Sequence, residues 1–161
     1  MSSETLVYYT VFGGDVFYDN LRCSIDALRD FGEYTGDVLV FSDRAFTYRR
    51  AQNVVLSLPD APESVAIRIA CYRYFDFAAY RRVLFLDADI LACRPVAPVF
   101  GGDALTYFPQ DDRYGTTGAI DALYFDAATF WRNVWKHPLN AGQFVVSGSE
   151  FETMMRVWEG V

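Results

Sequence analysis

The sequence predicts an α/β fold, with a mostly parallel central sheet and helices on both faces of that sheet. Apolar, β-branched and aromatic segments of strand length alternate with segments that carry apolar residues at helical spacing. The 161 residues, of which 52% are hydrophobic and 22% charged, also suffice for one folded core. We therefore expect a single domain over residues 1–161.

The first half of the chain contains most of the predicted elements. The run TLVYYTVF at 5–12 is β-branched and aromatic, as expected of a buried strand, and Gly13 and Gly14 end it. Apolar residues at helical spacing predict a helix over 16–31. Further on, the patterns predict strands over 37–42, 53–58 and 82–86 and a helix over 63–79. This alternation favours the crossover connections of a parallel sheet.

The second half of the chain has shorter patterns. They predict strands over 104–108, 121–125 and 143–147 and helices over 127–136 and 149–159. Ligands of parallel sheets bind outside the carboxyl ends of the strands, near the point where the strand order reverses. The residues that directly follow the strands are therefore the candidate site residues.

The charge and the cysteines restrict the class of protein. A net charge of −7 argues against a nucleic-acid partner. No apolar run reaches the ~20 residues of a membrane span, and the N-terminal residues do not resemble a signal peptide. Cys23, Cys71 and Cys93 are odd in number and widely spaced, which favours reduced, mostly buried thiols. We expect a cytoplasmic protein.

The most informative stretch is Asp87-Ala88-Asp89, where two carboxylates follow an apolar strand. Two uncompensated carboxylates repel each other, and a hard divalent cation removes that cost. Mg²⁺ and Mn²⁺ take oxygen ligands and share them with substrate phosphates. An acidic protein can therefore bind an anionic diphosphate when a metal ion bridges the two. A solvated turn or a helix-capping Asp is the alternative interpretation.

Three blocks of the sequence resemble family 8 of the GT-A-fold glycosyltransferases, which includes glycogenin-like and bacterial galactosyl- and glucosyltransferases. The stretch RVLFLDADIL at 82–91 is similar to the DxD block of that family, and PVAPVF at 95–100 to the segment after it. Residues 15–28 match the D-x-x-Y and S-I-x-x-L spacing of its first helix, and LNAGQF at 139–144 resembles its N-[AS]-G block. The resemblance implies a Rossmann-like GT-A fold for nucleotide-diphospho-sugar transferases.

The resemblance also implies a function. It implies a metal-dependent enzyme that moves a sugar from a nucleotide-diphosphate sugar, in particular a UDP-hexose, to an acceptor hydroxyl with retention. The acceptor, whether a sugar, a lipid-linked sugar or a protein, stays open. The cofactor would be Mn²⁺ or Mg²⁺ held by Asp87 and Asp89, with Asp87 also at the ribose.

The remaining site residues follow from the same resemblance. Nucleotide contacts fall on Thr10, Val11 and Tyr18, and Asp43 at the end of the second strand is a further candidate for the base or an ordinary loop Asp. The diphosphate and the donor sugar fall to Asp111, to Asn140, Ala141 and Gly142, and to Arg68 or Arg73. Those two arginines are five residues apart, about 140° around a helix, so one of them is expected to face the site.

The chain departs from the family at its C-terminal end. It lacks the family's HxxGxxKPW-like stretch, and its only histidine, His137, precedes Asn140 and does not match that ligand. We expect the donor-binding core with part of the catalytic and acceptor region missing, and we assign no catalytic residue. A truncated or inactive nucleotide-sugar-binding module is the alternative. A haloacid dehalogenase-type phosphatase with Asp87 as nucleophile is a third interpretation, although its Lys and acidic pair occur in the wrong order. The apolar residues of the last predicted helix indicate either core for a further segment or an interface, and a homodimer also stays open.

Overall fold

Six strands and two long α-helices form the part of the chain that the structure describes. The computed structural model describes residues 4–57, 67–68, 70–101, 106–109 and 139–159. The strands and α-helices in these ranges are β1 (Thr5–Val11), α1 (Asp15–Asp30), β2 (Asp37–Ser42), β3 (Gln52–Val55), β4 (Arg82–Leu86), β5 (Thr106–Pro109), β6 (Leu139–Ser147) and α2 (Gly148–Glu159). Short 3-10 helices occur at Cys71–Arg73, Phe77–Ala79 and Ala97–Phe100.

The six described strands form one sheet in the order β3-β2-β1-β4-β6-β5. The first four strands of that order are parallel, and β6 is antiparallel to both β4 and β5. From β1 the chain continues to β2 and β3 on one side, and β4 then pairs with β1 on the other side. The strand order therefore reverses between β1 and β4, where a parallel sheet opens a crevice at its carboxyl edge. The predicted mostly parallel α/β sheet is confirmed.

Alternate residues of the central strands fill two cores, one on each face of the sheet. On one face, Tyr9 packs with the buried face of α1, including Leu21 and Ile25. On the opposite face, Tyr8 lies among aromatic rings and α2 residues, including Phe151. This alternation has the period of two that places successive strand side chains on opposite faces. No helix in the described ranges has the length and apolar character to cross a membrane.

The predicted helix over 63–79 is confirmed at residues 67, 68 and 70 and is wrong as one continuous helix from Cys71 on. Residues 67, 68 and 70 are helical, but two separate 3-10 helices follow at Cys71–Arg73 and Phe77–Ala79. The Asp76 side chain accepts a hydrogen bond from the Ala78 amide at 3.0 Å, and such local bonds compete with a continuous helix. The break also lets the Phe77 ring stack on Phe151 of α2, with 3.8 Å between ring centroids.

Other predicted boundaries changed less. The last helix is confirmed over Gly148–Glu159, and β6 starts at Leu139, four residues before the predicted strand. The predicted strand over 121–125 and helix over 127–136 lie outside the described residues. The three thiols are free, but only Cys71 is buried, because Cys23 lies on the outer side of α1 and Cys93 in the loop after β4.

Candidate functional site

The backbone of Asp87 is fixed at the point where β4 ends. Its amide donates a hydrogen bond to the carbonyl oxygen of Gly142 on β6, with 2.8 Å between the atoms. Its own carbonyl accepts a hydrogen bond from the Ile90 amide at 3.0 Å, which closes a turn over Ala88 and Asp89. The two carboxylates therefore lie at the carboxyl edge of β4, beside the crevice between β1 and β4.

Arg68 contacts the first of these carboxylates. Its guanidinium Nη2 lies 2.7 Å from Oδ1 of Asp87, and the guanidinium also covers the Phe85 ring at 4.9 Å from the centroid. The side chains of Arg68 and Asp87 are 19% and 31% exposed, so the ion pair is largely screened from water. The Tyr8 hydroxyl donates to the Arg68 carbonyl at 3.4 Å, which ties this segment to β1.

Two carboxylates lie close together at this edge. Burial raises the pKa of Asp87, the Arg68 guanidinium lowers it, and the charge of Asp89 raises it further. Asp89 itself is exposed. Carboxylate oxygens of this kind suit a hard divalent cation that also binds phosphate oxygens. In the described part of the chain, no group of three or more His, Cys, Asp or Glu residues forms a metal-binding cluster.

Arg73, the other candidate for the diphosphate, lies elsewhere. Its guanidinium Nη2 is 2.6 Å from Oε1 of Glu159 at the end of α2, and its Nε donates to the Tyr72 hydroxyl at 3.3 Å. The structure thus brings Arg68 to Asp87 and holds Arg73 against α2.

The candidates on β1 are strand residues. Thr10 and Val11 are 6% and 2% exposed, so their side chains are buried. Residues 12–14 follow the carboxyl end of β1. Beside them, Asp43 follows β2 and accepts hydrogen bonds from the Gly13 amide at 2.8 Å and the Tyr18 hydroxyl at 2.5 Å. Desolvation raises the pKa of Asp43, but these two hydrogen bonds, together with its own amide and the charge of Arg44, hold the pKa below its usual range.

Tyr18 is enclosed. It is 3% exposed, and the guanidinium of Arg44 covers its ring at 3.9 Å from the centroid. Nη2 of Arg44 also lies 2.7 Å from Oδ1 of Asp15 at the start of α1. Sequence reasoning missed Arg44, although its position directly after Asp43 at the end of β2 was a signal that could have found it.

The N-A-G block lies on β6 rather than in a turn. In the strand register, Asn140 pairs with Phe108 of β5, and Gln143, one residue after Gly142, pairs with Leu86 of β4. Gly142 meets Asp87 through the backbone hydrogen bond described above. Ala141 lies between them in the same strand, and Asp111 lies outside the described residues.

Three solved structures that are similar to this chain are glycosyltransferases. The glycosyltransferase GlyE of Streptococcus pneumoniae TIGR4 matches 97% of this chain at 11% identity and a TM-score of 0.58, and its apo form matches 99% with a TM-score of 0.61. The galactosyltransferase LgtC, solved with donor and acceptor sugar analogs, matches 97% at 13% identity and a TM-score of 0.62. No protein-family model and no curated protein matches the sequence.

These matches establish the fold. The chain has the α/β fold of the GT-A glycosyltransferases, as the sequence predicts. It spans 37% of the length of GlyE and 66% of the length of LgtC. At 11–13% identity the likeness carries no assignment of donor, metal or acceptor, and membership of family 8 stays a prediction.

Proposed function

We propose that this chain is the donor-binding part of a metal-dependent glycosyltransferase. It binds a nucleotide-diphosphate sugar, in particular a UDP-hexose, and the sugar passes with retention to an acceptor hydroxyl. The observation that supports this most is the position of Asp87: the crevice between β1 and β4 is where parallel sheets bind nucleotides, and Asp87 lies there with Arg68 and Asp89.

The residues at the end of β4 fit a divalent cation. Asp87 and Asp89 offer carboxylate oxygens only, which suits Mn²⁺ or Mg²⁺, and Mg²⁺ in proteins is commonly held by one or two carboxylates together with substrate phosphates. When bound, such an ion neutralises charge on the leaving diphosphate as a Lewis acid. The ion would also offset electrostatic repulsion, because a protein with a net charge of −7 repels an anionic donor unless a cation lies between them.

Arg68 supports the same role from the protein side. A guanidinium presents two parallel donors to the oxygens of a phosphate and stays charged at any physiological pH. Arg68 is oriented by its ion pair with Asp87 and by its contact with the Phe85 ring, so little side-chain freedom remains to be lost when a phosphate binds. The backbone contact between Asp87 and Gly142 fixes the distance from β4 to β6, where the donor sugar would be read.

Thermal unfolding and calorimetry with nucleoside diphosphates test the proposal. UDP with Mn²⁺, at about one hundred times its Kd, should raise the Tm of the chain by roughly 5–10 °C. Asp89→Asn should abolish the part of the shift that depends on Mn²⁺. Asp30→Asn is the matched control, because Asp30 ends α1 and is exposed and paired with Arg49. Absence of stabilisation by UDP, GDP and ADP with metal would contradict the proposal.

Release of UDP from a UDP-hexose then separates catalysis from binding. Wild type should release UDP and Asp89→Asn should not. Donor binding without UDP release would instead indicate that the chain binds the nucleotide sugar and does not turn it over.

A further inference from the structure

A cleft of about 460 Å³ lies between the first two turns of α1 and the loop after β2. Its wall includes Asp15, Tyr18, Asp19, Arg22, Arg44 and Phe46. The loop that forms one wall follows Asp43, which accepts hydrogen bonds from the Gly13 amide and the Tyr18 hydroxyl.

Arg44 places a guanidinium over an aromatic ring in this cleft. The guanidinium lies 3.9 Å from the centroid of the Tyr18 ring, and its Nη2 pairs with Asp15. The ring beneath it is held by its hydroxyl, which binds Asp43, and by the tilted Phe46 ring at 5.9 Å between centroids. The Arg44 side chain is 44% exposed while Tyr18 is 3% exposed, so the guanidinium offers the cleft far more accessible surface than the ring beneath it.

The charges of the cleft are already paired. Asp15 lies 2.7 Å from Arg44, and Asp19 lies 2.7 Å from Arg22. A phosphate in this cleft would lie beside the carboxylates of Asp15 and Asp19, where the proposed function places no cation to offset their repulsion, as it does at Asp87. An uncharged planar group meets no such repulsion and needs only the open face of Arg44. Nucleobases stack on guanidinium planes in this way.

The position of Arg44 also matches a nucleotide whose diphosphate lies at Asp87. Arg44 follows β2, Asp87 follows β4, and β1 alone separates these two strands. Strands are about 4.8 Å apart, so the two strand ends are roughly 10 Å apart. The ribose and the phosphates of an extended nucleotide can bridge that gap.

We propose that Arg44 is the stacking surface for the base of the bound nucleotide, with Tyr18 as the support beneath the guanidinium. The inference rests on the proposed function, since it takes a nucleoside diphosphate as the ligand. It assigns the base contact to Arg44 in place of the Tyr18 ring that the sequence predicts. Lys cannot replace Arg44, because an ammonium group keeps the charge but has no plane.

Calorimetry with two probes tests the inference, namely UDP and inorganic pyrophosphate, each with Mn²⁺. Arg44→Ala and Arg44→Lys should each weaken UDP binding by roughly tenfold, as expected for the loss of one stacking contact, and should leave pyrophosphate binding within twofold of wild type. Arg22→Ala is the matched control: it removes the other arginine of the cleft and should change neither Kd. Equal Tm values of the variants without ligand show that the comparison concerns binding.

Three results with the variants would overturn this inference alone. If UDP binds equally to wild type and to Arg44→Lys, the guanidinium plane makes no contact with the base. If Arg44→Ala weakens pyrophosphate as much as UDP, Arg44 acts on the phosphates. If Arg44→Ala tightens UDP binding, the base displaces Arg44 and stacks on Tyr18 itself. A wild-type chain that binds no nucleoside diphosphate overturns the proposed function as well, which separates the two failures.

Discussion

An ion pair of 2.7 Å joins Arg68 and Asp87, which are 19 residues apart in the sequence. Arg68 belongs to the segment before β4, and Asp87 is the first residue after that strand, so the pair spans the length of β4. The Asp87 carboxylate therefore experiences both the positive charge of Arg68 and the negative charge of Asp89. A change at Arg68 should alter both the orientation of Asp87 and the charge of the proposed donor site.

Arg68→Ala should weaken binding of UDP with Mn²⁺ at least tenfold, because the phosphates lose a guanidinium donor and Asp87 loses the partner that orients it. The same change should lower the free energy of unfolding by about 1–2 kcal/mol, since it leaves a partly buried carboxylate with one charged partner fewer. Calorimetry measures the first effect and urea unfolding the second.

Arg73→Ala is the control for that experiment. Arg73 pairs with Glu159 and its side chain is 55% exposed, so its loss should leave UDP binding unchanged and stability within about 1 kcal/mol of wild type. An equal loss of UDP affinity in both variants would contradict the assignment of Arg68 to the donor.

The contact between Tyr18 and Asp43 should make the free energy of unfolding depend on pH in the acid range. Hydrogen bonds hold the pKa of Asp43 below its unfolded value of about 3.9, so their stabilisation is complete above that pH and is lost as the pH falls through the folded pKa. Tyr18→Phe removes one donor, so the free energy of unfolding should fall less between pH 7 and pH 3 than it does in wild type.

Tyr34→Phe provides the comparison. The Tyr34 hydroxyl donates to the backbone carbonyls of Thr5 and Asp37, which do not titrate. Loss of this hydroxyl should lower the free energy of unfolding by a similar amount at pH 7 and at pH 3. Parallel pH profiles for wild type and Tyr18→Phe in urea unfolding would show that the hydroxyl does not act on the Asp43 carboxylate.

The sequence predicts the sheet well because its strands are continuous apolar runs between glycines and polar turns. It also places Asp87 and Asp89 at a strand end, because the strand over 82–86 runs directly into them. The contacts of the site are harder to predict. The choice between Arg68 and Arg73 depends on the change to a 3-10 helix at Cys71–Arg73 and on the position of Glu159, which is distant in sequence.

Arg44 shows a second limit of the same kind. Its contact with Tyr18 joins the loop after β2 to α1, and neither segment alone has a pattern that specifies the other. Local periodicity predicts which residues are buried, whereas long-range pairing of polar side chains follows only from the assembled sheet.

The start of α2 packs so closely that it should tolerate no side chain. A Cβ on Gly148 would lie well inside 3.0 Å of the carbonyl oxygens of Tyr80 and Phe77, so Gly148→Ala must displace α2 from the turn before β4. The free energy of unfolding should fall by about 3 kcal/mol. Gly14→Ala is the matched control, because no atom lies within 4 Å of its added Cβ, and it should cost at most about 1 kcal/mol. Equal costs in urea unfolding would contradict this packing.

The turn between β2 and β3 contains two successive arginines in the left-handed region, Arg49 with φ of 40° and Arg50 with φ of 61°. The Ala51 amide closes it on the Tyr48 carbonyl at 2.8 Å. Glycine adopts such angles without steric cost, so Arg50→Gly should raise the free energy of unfolding by up to about 1 kcal/mol. Arg49→Gly relieves the same strain but loses the ion pairs with Asp26 and Asp30 on α1, so it should be neutral or destabilising. Urea unfolding of both variants measures the difference. A destabilised Arg50→Gly would show that this turn is not strained.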